Sequence, residues 1–352
     1  MPDPIPPMRL ALIAPPTSTV PPSALGGLDM VRWLADGLAG RGHQVTLVGA
    51  GLYGLSPDRY QLVDTDPAAD PRTAAEIGDQ RHAEAAGKVI DTLDVQAVSD
   101  HTRSGYLPAA DRVATVRTVY AHARAAVGLV PHPGHVVGLV AVSSHQRRRA
   151  LDTCDTLLGW VDTIAPGIPF AEHPLAPSPD GPCVYLGPVL AGRGIEWAVQ
   201  AAHQAGRPIV VANTDPDADT MVWAEVKLRP LLGPGDELLD EVGLPERWAL
   251  LERAGCLVAP GLREAAFCLV AVEAMACGTP VVGLSETVIA EQALHGTSGV
   301  LARKVADLPQ AIERAARLEP AKVRAQAARR FDAQVMVAGY EALFARLVGA
   351  DR

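Results

Sequence analysis

Short apolar runs alternate along the chain with longer stretches in which apolar side chains recur at helical spacing. Arg9 to Ala14 (RLALIA) predicts a buried strand. A Pro-rich loop follows, and then a helix from about Leu28 to Ala39, where Leu28, Val31, Ala35 and Leu38 fall on one face. Gly40 and Gly42 end that helix, and Gln44 to Gly49 (QVTLVG) predicts a second strand parallel to the first. The pattern continues with an Ala-rich helix near 73 to 92 and strands near 94 to 98, 114 to 120 and 136 to 142. Strands that alternate with helices predict a parallel sheet covered on both faces.

Pro174 to Pro182 (PLAPSPDGP) has no periodicity and reads as a linker between domains. After it the alternation restarts. Strands are expected at 183 to 186, 208 to 212, 256 to 259 and 280 to 284, with helices at 195 to 205, 219 to 231, 246 to 254 and 268 to 277. The expected organisation is therefore a disordered terminus (1–8), one Rossmann-like α/β domain (9–178) and a second (179–330). A last helical segment (331–352) is expected to return to the first domain. A chain of 352 residues exceeds the size at which a single core keeps growing, which agrees with two domains. The crevice where two such domains bring strand ends together is the expected ligand site.

Composition narrows the function classes. A formal net charge of −9 excludes a dominant phosphate-backbone surface, and Arg147, Arg148 and Arg149 read as a solvated helix face. The five cysteines, Cys154, Cys183, Cys256, Cys268 and Cys277, form no C-x-x-C pair and suit a reducing cytoplasm. The first residues lack the basic start and apolar stretch of a signal peptide, and no apolar run has the length of a membrane span. No G-x-G-x-x-G follows the first strand, and neither G-x-x-x-x-G-K-[ST] nor G-x-S-x-G occurs. Nicotinamide dehydrogenases, P-loop enzymes and α/β-hydrolases are thereby disfavoured. Asp64-Thr65-Asp66 and the triplet Asp215, Asp217 and Asp219 read as turn and helix-cap residues rather than metal ligands.

The most informative stretch is Arg263 to Leu284, REAAFCLVAVEAMACGTPVVGL. A strand ends at Pro260, a loop crosses the sheet top and a helix starts near Cys268. Unpaired N–H groups at the first helical turn, with the positive end of the helix dipole, favour an anion such as a diphosphate. Glu273 lies about one turn deeper, where its carboxylate suits both hydroxyls of a ribose.

This stretch resembles the signature of the retaining family-4 glycosyltransferases, a GT-B group of two Rossmann-like domains whose parallel sheets face an interdomain cleft. Further ordered similarity covers most of the chain: Gly26-Gly27, DVQAVSDHT ending in Asp100-His101-Thr102, TIAPGI, LGPVLAGRG and IAEQALHGTSGVL. The resemblance implies transfer of a sugar from a nucleoside-diphosphate sugar to a small-molecule or glycan acceptor, with retained anomeric configuration and without metal or other cofactor. Glu273 then matches the second signature glutamate, and Phe267, Cys268, Leu269 and Val270 match the phosphate-holding turn. Arg193 stands in the place of a phosphate-binding lysine, and Gly26 and Gly27 match a glycine pair that the donor approaches closely. His101 matches a histidine near the donor sugar. Glu264 is the displaced counterpart of the first signature glutamate, and Arg103, Tyr120 and His122 are candidate acceptor-side residues.

Departures accompany these matches. Pro188 stands where an arginine is common, Ala265 where the first glutamate belongs, and Tyr120 where relatives carry a second histidine. Arg263 and Arg303 are candidates to replace the missing charge. These departures also motivate the alternative of a catalytically degenerate homologue that binds a sugar or a partner protein.

Overall fold

The computed structural model describes residues 5–15, 27–49, 59–65, 75–102, 113–120, 137–153, 159–175, 178–214, 218–261 and 264–350. The chain divides into two compact units. The first holds residues 25–167 together with the amino terminus and 333–352, and the second holds Ile168–Asp332.

The first unit is built on β1 (Arg9–Ile13), β2 (Gln44–Gly49), β3 (Gln61–Asp64), β4 (Ala97–Asp100), β5 (Ala114–Val119), β6 (Val137–Ala141) and β7 (Trp160–Thr163). All pair in parallel, in the order β3-β2-β1-β4-β5-β6-β7. After Arg9, β1 is the continuous buried apolar run that a covered parallel sheet requires, and β4 is equally buried although it carries Ser99 and Asp100. The helices α1 (Gly27–Gly40), α2 (Ala75–Ile90) and α3 (Ser144–Thr153) belong to this unit, as does the last helix, α11 (Ala333–Ala350).

Tyr340, Met336, Val337 and Phe344 of α11 enter the same core as Leu34, Ala35 and Leu38 of α1. Gly37 allows this approach, because a Cβ there would collide with the Val337 side chain. At the rim, Arg41 Nη1 donates to Glu341 Oε2 at 2.5 Å, and His43 Nε2 lies 3.0 Å from Glu341 Oε1. Burial alone would raise the Glu341 carboxyl, but hydrogen bonds from His43 and Arg41 outweigh it and hold the group below its ordinary value.

The second unit is a six-stranded parallel sheet in the order β10-β9-β8-β11-β12-β13. Its strands are β8 (Cys183–Gly187), β9 (Ile209–Asn213), β10 (Glu237–Leu239), β11 (Cys256–Val258), β12 (Val281–Leu284) and β13 (Gly299–Ala302). Its helices are α4 (Ile195–Gln204), α5 (Ala218–Trp223), α6 (Leu244–Glu252), α7 (Leu269–Ala276), α8 (Ile289–Gln292), α9 (Leu308–Ala315) and α10 (Pro320–Phe331). In both sheets the winding reverses beside the first strand, between β1 and β4 and between β8 and β11. Arg324 of α10 donates to the carbonyls of His173, Ala276 and Phe170, which fastens the chain entering this unit to the end of α7. Among the described residues no helix is long and apolar enough to cross a membrane.

Several expectations need correction. Residues 5–8 are not disordered: Met8 is buried, and its N–H donates to His43 Nδ1 at 3.1 Å. The strand expected at 94 begins at Ala97, because Asp94 and Gln96 are engaged by Arg9 instead. The long helix expected at 219–231 breaks into α5, a π-helical turn at Ala224–Leu228 and a 3-10 turn at Arg229–Leu231. Pro230, which lacks an N–H, stands inside that final turn. The second unit begins at Ile168, upstream of the Pro-rich stretch that the sequence suggested as the boundary.

Gly37→Ala is expected to destabilise the first unit by about 1–3 kcal/mol through overpacking against Val337. Combined with Val337→Ala its cost should be less than additive, read as urea midpoints of the two single variants and the double variant.

Candidate functional site

The loops that leave β8 and β11 flank the point where the second sheet reverses its winding, the position at which open α/β sheets bind ligands. Glycine sets their separation. A Cβ on Gly261 would fall on the Arg193 carbonyl, and one on Gly194 would lie 2.9 Å from the Gly261 nitrogen. Gly194 also has φ of +76°, a left-handed conformation that side chains disfavour. The two loops therefore pack backbone against backbone.

The β8 loop is held from below. Asn213 Oδ1 accepts from the Val189 N–H at 3.2 Å, and the Tyr185 hydroxyl donates to the Pro188 carbonyl at 3.2 Å. Pro188 thus contributes an acceptor to the loop scaffold. Burial raises the Tyr185 phenol, Arg193 opposes the rise and Cys268 adds to it, so both residues lie near this one ring. Arg193 itself is half-buried and has no hydrogen bond or ion pair among the described residues.

The β11 loop leads on to the amino end of α7. Cys268 is its N-cap and offers no oxygen to the helix. Its backbone forms a two-way pair with Gln292: the Cys268 N–H donates to Oε1 at 3.1 Å, and Nε2 donates to the Cys268 carbonyl at 2.9 Å. Burial pushes the Cys268 thiol up to about 12, while the N–H groups of Ala271 and Val270 pull it down. The Ala271 N–H also donates to the Cys268 carbonyl at 3.2 Å, whereas the Val270 N–H meets a neutral sulfur, a weak acceptor that an anionic oxygen outcompetes. Phe267, Leu269 and Val270 are half-buried, so this helix end is not sealed by the unit's own chain. Phe267 packs edge-on against Phe331, with ring centroids 5.9 Å apart.

Glu273 departs from expectation. It is fully buried, and Arg247 Nη2 of α6 donates to both carboxylate oxygens, at 2.9 and 2.7 Å. Burial raises the Glu273 carboxyl and Arg247 opposes the rise. The carboxylate that the sequence assigned to a ribose is therefore engaged inside the α6–α7 packing. Arg247 was missed because nothing local marks it, and only the folding of α6 onto α7 brings it to Glu273.

His101 and Tyr120 belong to the first unit. His101 is 2% exposed, with Ser99 Oγ 3.0 Å from Nε2 and the Tyr120 hydroxyl 2.9 Å from Nδ1. Burial lowers its pKa to about 3, so the ring is neutral. Beneath it the buried Arg117 donates to Asp100 Oδ2 at 2.7 Å, and the Thr102 N–H donates to Asp100 Oδ1. In this structure His101 is a hydrogen-bonded core residue. Glu264 is exposed, and Ala265 beside it is half-buried. Gly26, Arg103, His122 and Arg263 lie outside the described residues, and Gly27 begins α1. Among the described residues no cluster of three or more His, Cys, Asp or Glu suited to a metal is present.

Two parallel-sheet α/β units of this kind define the GT-B fold. Residues 224–317 match the family described as Glycosyl transferases group 1, a stretch that contains α6, α7, Arg247 and Glu273. Among solved structures, AviGT4, a glycosyltransferase involved in avilamycin A biosynthesis, is 24% identical, with 97% of this chain and 98% of that chain covered and a TM-score of 0.71. Sucrose-phosphate synthase from Thermosynechococcus elongatus is 19% identical, covers 97% of this chain and 100% of its own, and has a TM-score of 0.74. HepE of Anabaena, solved with UDP and glucose, is 14% identical over 96% of this chain and 100% of its own, with a TM-score of 0.68. No curated protein matches the sequence.

Two outcomes follow from the buried groups. Folded His101 resists protonation that the unfolded chain accepts at its ordinary pKa of 6.5, so its contribution is complete above pH 6.5 and is lost as pH falls toward 3. Between about pH 6 and 4 the first unit should lose about 1.4 kcal/mol per pH unit more than a His101→Gln variant, measured as urea midpoints across pH. Separately, Arg247→Ala leaves Glu273 buried without its partner and should cost about 3–5 kcal/mol of second-unit stability. Adding Glu273→Gln to it should recover a large part of the loss in the same urea titration.

Proposed function

We propose that the chain is a metal-independent, retaining glycosyltransferase that binds a nucleoside-diphosphate sugar on its second unit. The observation that supports this reading is the glycine-tight contact between the β8 loop, which carries Arg193, and the β11 loop, which leads to α7. An arginine fork and a helix amino terminus together form an anion receptor without any metal. The match of residues 224–317 to the group 1 glycosyl transferase family supports the reaction class. The solved HepE complexes with UDP-glucose and with UDP and glucose support this donor class by fold likeness.

In this reading the diphosphate lies against the N–H groups of Leu269 and Val270, with the Arg193 guanidinium on the opposite side. Bond cleavage leaves charge on the departing nucleoside diphosphate, and donors fixed before the reaction stabilise that charge at no reorganisation cost. Phe267 and Cys268 shape the turn, Gly26 and Gly27 admit the donor, and Glu264 accepts hydroxyl protons of the transferred sugar. Glu273 reaches a ribose only by exchanging one of its Arg247 contacts for ribose hydroxyls. His101 orients its surroundings as a neutral ring rather than transferring a proton, since its low pKa keeps it unprotonated at neutral pH. The acceptor, a small molecule or glycan, is assigned to the first unit with Arg103, Tyr120 and His122 beside it, and the protein is assigned to the cytoplasm.

Titration with UDP, GDP and ADP should show tight binding of one of them without added metal and unchanged by EDTA. Arg193→Ala should weaken it about ten- to a hundredfold, the worth of one charge-assisted hydrogen bond. Gly261→Ala should weaken it as well, by displacing the Arg193 carbonyl. Absence of binding by every nucleotide, or binding indifferent to Arg193→Ala, overturns the reading.

A further inference from the structure

A pocket of about 520 Å3 opens at the carboxyl edge of the second sheet, past the ends of β11, β12 and β13. Its size falls within the roughly 300–1,000 Å3 of small-molecule sites. The anion receptor is formed by Arg193 and the residues that open α7. None of these lines the pocket, whose wall is instead shared by Trp197, Gly261, Leu284, Glu286, Arg303 and Lys304.

The chemistry of that wall is uneven. Trp197, in the first turn of α4, is 42% exposed, an unusual state for an indole, and Leu284 beside it is buried and apolar. Arg303, just past β13, is exposed and has no hydrogen bond or ion pair among the described residues. Among the described residues Lys304 meets Asp307, at 3.9 Å between exposed groups, which is worth little in water. Two exposed cations, with Glu286 near them, therefore line the same pocket as an exposed indole in a chain of net charge −9.

An indole presents an apolar, electron-rich face to the C–H side of a pyranose ring, whereas an arginine fork binds carboxylate or phosphate in two-point geometry. Glu286 adds an acceptor for hydroxyl groups. We infer that this pocket is a second binding site, separate from the diphosphate receptor, for an anionic sugar carrying a phosphate or a carboxylate. The sugar ring stacks on Trp197, its charged substituent meets Arg303 and Lys304, and its hydroxyls donate to Glu286. The inference rests on the pocket's own residues and does not require the proposed donor.

Calorimetric titration of the full chain with glucose 6-phosphate, glucuronate, glucose and inorganic phosphate tests it. At least one of the two charged sugars should bind at least tenfold more tightly than glucose or phosphate. Whichever binds better identifies phosphate or carboxylate as the source of charge. Arg303→Ala and Trp197→Phe bear on the two halves of the site. The first should reduce charged-sugar affinity at least tenfold and the second severalfold, while Trp197→Phe changes binding of the preferred nucleotide less than twofold. Because Trp197 is exposed, its fluorescence should also shift on titration in the parent protein, and no comparable shift should occur in Trp197→Phe. The inference is overturned if charged sugars bind no better than inorganic phosphate, if Arg303→Ala leaves their affinity unchanged, or if Trp197→Phe weakens nucleotide and sugar equally. A chain that binds the charged sugar in this manner but no nucleotide defeats the donor reading and leaves this one standing.

Discussion

The backbone contact between Gly194 and Gly261 is the constraint on which the geometry of the second unit's upper edge depends. Neither residue tolerates a side chain where it stands, because each projected Cβ meets the opposing backbone. Their approach places the Arg193 loop next to the loop that launches α7, at the point where the sheet reverses its winding. Arg193 and Cys268, from distant parts of the chain, both lie close enough to Tyr185 to act on its phenol. The contact is made of main chain, so it is stiffer than any pairing of long side chains in the same place.

Around that contact the unit spends its polar groups on holding backbone. Gln292 returns both of its amide bonds to Cys268, Asn213 supports Val189, and Arg324 gathers carbonyls from Phe170, His173 and Ala276. The Arg247–Glu273 pair belongs to the same scheme. A fully buried carboxylate is costly without a partner, and here one guanidinium nitrogen meets both of its oxygens. The helix that presents its amino end to solvent is thus tied at its base by an ion pair and at its far end by Arg324. The first unit shows the same economy around Asp100, whose two oxygens are used by Arg117 and Thr102 beneath a neutral His101.

The strands missing from the sequence reading share one feature. β3, β7, β10 and β13 each lie at an edge of their sheet. Of these, β3, β7 and β10 are largely half-exposed, so none reads as a continuous apolar run. The central strands β1, β8, β9, β11 and β12 are buried throughout or nearly so, and their apolar runs were legible at once. Overprediction of the helix at 219–231 has a different origin. The apolar spacing is helical, and Ala224 and Leu228 enter the core, but the α-helical hydrogen bonding gives way to a π-helical turn and Pro230 stands in the 3-10 turn after it.

By itself the chain's pattern determined two α/β halves, their central strands and the junction at Cys268, because these follow from local periodicity and from which residues end a helix. The family resemblance that it carries also singled out Arg193 and the pair Gly26-Gly27. Only the tertiary structure decided which way the polar side chains face. Glu273 turns inward to Arg247, His101 becomes a neutral core residue, and Trp197 and Arg303 meet at one pocket. Orientation of this kind depends on which helix packs on which, and contacts between residues far apart in the chain leave no mark on its local pattern.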